Sequence, residues 1–74
     1  MVKNANLVES KPPHDRLISL TEVIHKTSLA KSTIYREVSG GRFPKPVPAS
    51  AGRSAWVESE VDKWIADTIA NARN

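Results

Sequence analysis

Lys31-Ser32-Thr33 and Tyr35-Arg36 share one short segment of the chain, and Arg42, Lys45 and Arg53 follow it. Hydroxyls and cations at that spacing suit one kind of chemistry: hydrogen bonds and positive charge offered to phosphate oxygens or to base edges. Between residues 26 and 53 the charged groups are Lys26, Lys31, Arg36, Arg42, Lys45 and Arg53 against Glu37, a local balance of +5. From residue 54 onward Lys63 and Arg73 stand against Glu58, Glu60, Asp62 and Asp67, a balance of −2. The overall charge of +3 therefore understates a concentrated positive face, which is what a phosphate-binding surface needs. Catalysis fits poorly. No nucleophile–base set is visible, and Asp62 and Asp67 fall on the solvent side of a helix pattern. His14 and His25 lack the companions of a metal site, so neither a metal nor another cofactor is expected.

Seventy-four residues allow one small domain with a modest core. Cysteine is absent, so disulfides and thiolate metal sites are excluded, which suits a reducing cytoplasm. No apolar run approaches the roughly 20 residues that cross a bilayer, and residues 1–11 lack the apolar centre of a secretory signal. The expectation is a cytoplasmic binding module that acts through its surface.

The elements that must position the basic segment can be read from spacing. Residues 1–15 are polar, contain Lys11-Pro12-Pro13 and show no helical or strand period, so they read as a flexible N-terminal arm. Lys3 and Lys11 could enter a groove, but Glu9 and Asp15 offset them, and a solubilising tail is the plainer reading. The folded domain is expected over 16–74. Leu17 to Ser19 suits a short extended segment. Thr21 and Glu22 then open a helix of about two turns that ends near Thr27-Ser28. Leu29 fills a corner, and a second helix runs over 31–39, stopped by Gly40-Gly41. Leu20, Val23, Ile24, Leu29, Ile34 and Val38 form the inward set. Pro44, Pro46 and Pro48 bar 43–48 from a central strand. Residues 47–56 suit a hairpin with its tip at 50–52. A final helix carries Val57, Val61, Trp64, Ile65, Ile69 and Ala72 on one stripe, and Phe43, Trp56 and Trp64 supply bulk. The fold class is mainly α with a small β wing, a three-helix winged helix-turn-helix.

The segments Leu17-Ile18-Ser19-Leu20-Thr21-Glu22-Val23, Lys31-Ser32-Thr33-Ile34-Tyr35-Arg36, Gly41-Arg42-Phe43-Pro44-Lys45-Pro46-Val47, and Trp56 with Glu58-Ser59-Glu60-Val61-Asp62-Lys63-Trp64, in that order, resemble the AlpA-type prophage transcriptional regulators. These are relatives of MerR-like winged helix-turn-helix proteins and of phage excisionases. The likeness covers about residues 16–69. The family commonly enters its second helix through Gly-Leu-Ser, where this chain has Ser28-Leu29-Ala30. Ala30 offers no capping oxygen and Ser28 lacks glycine's freedom, so either the turn is reshaped or Ser28 caps a helix that starts earlier.

The resemblance implies a regulator that reads double-stranded DNA with the helix 31–39 in the major groove and holds phosphates or the minor groove with 42–53. Lys31 and Arg36 are the candidates for guanine, and Ser32 and Thr33 for a phosphate or a base edge. Tyr35 suits a DNA contact and a half-buried place against the wing equally. Arg36 could instead pair with Glu37 or Glu22. Arg42, Lys45 and Arg53 are the phosphate or minor-groove candidates, against a plain solvated loop. An excisionase-like factor that bends DNA for an integrase is the alternative role, and an adaptor for an acidic protein is a third. Self-association on DNA, an integrase or RNA polymerase are candidate protein partners. A small-molecule effector is not expected, because the effector domain and coiled coil of longer MerR-like proteins are missing.

Overall fold

The computed structural model of the chain describes residues 15–74. Most of the expected arm, with Lys3, Lys11 and His14, lies outside the described residues. The elements run β1 (Leu17–Ile18), α1 (Leu20–Thr27), α2 (Lys31–Ser39), β2 (Val47–Ser50), β3 (Arg53–Val57) and α3 (Glu58–Ala72). Three helices and a small antiparallel sheet thus make the winged helix-turn-helix that the spacing suggests.

The sheet order is β1–β3–β2. Leu17 and Ile18 oppose Val57 and Trp56, while Val47, Pro48 and Ser50 oppose Ala55, Ser54 and Arg53. The strand that carries Pro48 lies at an edge, where a missing N–H is tolerated. Gly52, at φ 74°, makes the left-handed bend of the hairpin tip. The central strand carries Trp56, which is fully buried and joins Ile18, Val23, Ile34, Phe43 and Val61 in one cluster. Leu20, Ile24, Leu29, Val38, Trp64 and Ile65 lie half-buried around it.

α1 starts one residue before Thr21, because Ser19 is the capping residue. Its Oγ accepts from the Glu22 N–H at 3.2 Å. α3 departs further from expectation. Val57 is the last strand residue and has no role on the helix stripe. Only Val61 of that stripe is buried; Ile69 is 48% exposed and Ala72 is exposed, so the last turns extend past the core.

The start of α3 is held from a distance. Asp15 accepts from the Ser59 N–H at 3.1 Å and from the Ser59 hydroxyl, while the Glu58 N–H donates to the Arg16 carbonyl at 2.8 Å. The Arg16 guanidinium grips Glu58 through two bonds, Nε to Oε1 at 3.0 Å and Nη2 to Oε2 at 3.1 Å, and also reaches Glu22 at 3.1 Å. Lys26 bridges Glu58 at 3.0 Å and Asp62 at 2.9 Å. This network ties α1 and the chain before β1 to α3.

Hydrogen bonds from Arg16 and then Lys26 hold the Glu58 carboxyl down at about 2, against the opposing effect of burial. A depressed carboxyl stabilises the fold fully above its ordinary value of 4.5 and loses that contribution as the pH falls toward about 2. The thermal midpoint, followed by circular dichroism, is expected to drop across that window. Glu58→Gln is expected to lower the midpoint at neutral pH and to flatten the acid limb.

Candidate nucleic-acid interface

α2 sets the geometry. Ile34 is buried and Val38 half-buried, so the helix turns that side to the core. Residues about 100° apart around the axis then place Ser32, Tyr35, Arg36 and Ser39 on a common outer face. All four are exposed, as is Lys31, which flanks the stripe on the Tyr35 side. Thr33 lies on the opposite flank beside Glu37 and is half-buried. Lys31 and Thr33 therefore do not project together, whereas Ser39, which the sequence reading did not single out, joins the face as the last residue of α2.

The turn before α2 is reshaped around Ser28, which takes φ 63° as the left-handed cap of α1. It does not cap α2, which starts at Lys31 behind an uncapped Ala30. Thr27 braces the turn without capping α2: its hydroxyl donates to the Val23 carbonyl at 2.8 Å and accepts from the Leu29 N–H at 3.2 Å.

Downstream, α2 ends in a Schellman arrangement. The Gly41 N–H reaches the Val38 carbonyl at 3.1 Å and the Arg42 N–H the Glu37 carbonyl at 2.9 Å, with Gly41 at φ 75°. Two indoles then fasten the loop. Trp64 Nε1 donates to the Arg42 carbonyl at 2.7 Å, and Trp56 Nε1 donates to the Pro44 carbonyl at 2.9 Å. Phe43 is buried beneath Trp64 with ring centres 4.9 Å apart, which leaves Lys45 outside between two half-buried prolines. Arg42 and Lys45 line an open groove of about 610 Å³, whose other wall carries Glu60, Lys63, Trp64 and Asp67 of α3. Arg53 is exposed beside the hairpin tip and is not among the groove residues. Contact between the outer face of α2 and the wing runs through Tyr35, 41% exposed, whose ring centre lies 6.2 Å from that of Trp56. Of the two sequence readings of Tyr35, the place against the wing matches this contact, although the ring is more exposed than half-buried.

Ion pairing separates the cations. Arg16, Lys26, Arg42 and Lys63 are each bound to carboxylates. Lys26, counted in the basic segment, is turned to α3. Lys31, Arg36, Lys45, Arg53 and the distant Arg73 have no ion pair among the described residues. Neither acid weighed as a partner for Arg36 takes it: Glu37 pairs with Arg42 at 2.7 Å and Glu22 with Arg16.

Residues 16–69 match the family described as Prophage CP4-57 regulatory protein (AlpA). The chain belongs to the AlpA family. That span takes in β1 through most of α3, including every residue of the α2 face and of the loop. The chain is 37% identical over 59 residues to the uncharacterized protein ORF88 of Enterobacteria phage P4, covering 80% of this chain and 67% of that protein. It is 32% identical over 56 residues to the DNA-binding transcriptional activator AlpA of Escherichia coli K12, covering 68% of this chain and 80% of that protein.

Glycine at position 28 would adopt the left-handed turn without the Cβ penalty, at a smaller entropic cost in the unfolded chain. Ser28→Gly is expected to stabilise the fold by about 0.5–1 kcal/mol in urea denaturation, with the slope unchanged.

Proposed function

We propose that the chain is a sequence-specific double-stranded DNA-binding transcriptional regulator of prophage or mobile-element type. The outer face of α2 lies in the major groove, and cations of the loop and hairpin take phosphates or the minor groove. The observation that carries this reading is the sorting of charge. Cations that stitch helices together are neutralised, while Lys31, Arg36, Lys45 and Arg53 have no carboxylate partner among the described residues. Unpaired cations on a rigid helix and a proline-stiffened loop gain counterion release on meeting phosphate, and they forfeit no internal salt bridge. The similarity to a protein described as a DNA-binding transcriptional activator supports the same reading.

Roles divide by position. Arg36, opposite the buried side of α2, reads a base, with guanine the best fit for its fork of donors. Ser32 and Ser39 sit one turn to either side of it and supply shorter contacts. Tyr35 bridges the reading helix to the wing through Trp56, so its ring both contacts DNA and fixes the helix against the sheet. Lys45, held outward by its neighbouring prolines, is a phosphate cation.

Selection of bound sequences from a random duplex pool, followed by binding across a salt series, tests this. With Arg36 on a base, the three phosphate-directed cations Lys31, Lys45 and Arg53 give a log–log salt slope on the order of −3. Arg36→Ala is expected to erase preference at one position of the selected site, about tenfold, while Lys45→Ala weakens all sequences alike. A flat salt dependence or an unenriched pool contradicts the proposal.

A further inference from the structure

Arg42 is fixed more tightly than a surface arginine needs to be. Its N–H donates to the Glu37 carbonyl at 2.9 Å, its Nε to Glu37 Oε1 at 2.7 Å, and its own carbonyl accepts from Trp64 Nε1 at 2.7 Å. The guanidinium folds back over Gly40, where an added Cβ would collide with Cζ and both Nη atoms. The hydrogen bond from Arg42 holds the Glu37 carboxyl below its ordinary range, and the Arg42 side chain remains 59% exposed. Glu37 occupies only Nε; the N–H groups on both Nη atoms have no partner among the described residues.

We propose that Glu37 and Gly40 are positioning residues that hold Arg42 as a preset cation, with its two Nη groups offered to a phosphate of duplex DNA. This rests on the DNA reading above. A long cationic side chain ordinarily loses rotamer freedom when it docks, and here the Nε bond to Glu37 and the contact with Gly40 supply part of that ordering beforehand. Paired Nη donors also match two phosphate oxygens. Glu37 is the one acid between residues 26 and 53, and the clamp gives it a purpose. The competing account has Arg42 merely offsetting the negative end of the α2 dipole, with Glu37 an ordinary acid that repels phosphate.

The two accounts differ in sign. Affinity of the full chain for a mixed-sequence duplex, measured by fluorescence anisotropy across a salt series, separates them. Arg42→Ala is expected to weaken binding about tenfold and to make the salt slope shallower by about 0.9. Glu37→Ala is expected to weaken it about threefold although the net charge rises. Glu37→Gln keeps an acceptor of the same reach and stays within about twofold of wild type. With Arg42→Ala already present, Glu37→Ala should tighten binding instead. Gly40→Ala provides a second route: its φ of −82° suits alanine, yet the methyl displaces the guanidinium, so binding weakens only when Arg42 is present. Melting curves fix a temperature at which every variant is folded. Tighter binding by Glu37→Ala with Arg42 intact overturns the positioning role and leaves the DNA reading standing. Failure of the wild-type chain to bind duplex at low salt overturns both.

Discussion

Trp56 makes the contacts on which the other elements depend. A 74-residue chain has little apolar material, and here one fully buried indole lies on the central strand, opposite Ile18 and beneath α2. Its ring lies tilted at 57° to that of Tyr35, and its N–H is satisfied by the Pro44 carbonyl. The same side chain therefore closes the core, seats the outer helix and anchors the basic loop. Burying an indole demands a partner for its N–H, and that demand ties the loop to the sheet. Trp64 repeats the arrangement two residues earlier in the loop, at the Arg42 carbonyl, with Phe43 packed below it. The loop is thus ordered by aromatic donors, with proline restricting what remains.

Electrostatics divide the molecule along different lines. Glu58 gathers Arg16 and Lys26 at the start of α3, where carboxylates also favour the positive helix end. Exposed pairs of this kind contribute little singly, but a bidentate grip shared with a second cation fixes geometry as well as charge. The consequence for binding is indirect. Acids of α3 are mostly engaged with structural cations, so they do not neutralise Lys31 or Arg36 on the far side of α2.

Much of this was legible in the sequence, and the reasons are local. Ile34 and Val38, four apart, fix which side of α2 faces inward; glycines mark its end; prolines confine β2 to an edge. Long-range partners were not legible. Asp15 reads as the end of a polar arm, yet it bonds the start of α3 across 44 positions of chain. Arg16 marks only the onset of order, and nothing near it announces Glu58. The stripe on α3 misled in the opposite direction, because periodicity shows which residues share a face and cannot show where the core ends; Ile69 continues the pattern into solvent. Thr33 was grouped with Lys31 by proximity in sequence, whereas helical geometry puts them on opposite flanks. Arg42 was counted as another loop cation, since only the folded turn brings it onto Glu37.

The central claim is that the outer face of α2 and the adjoining basic loop form the DNA-facing surface. Titrating isotope-labelled chain with a selected duplex and following each backbone amide by nuclear magnetic resonance tests it directly. The account expects the largest shifts at Ser32, Tyr35, Arg36 and Ser39, with further shifts at Arg42, Lys45 and Arg53, and little change over residues 66–73. Shifts concentrated on α3, with the α2 face unmoved, would contradict it.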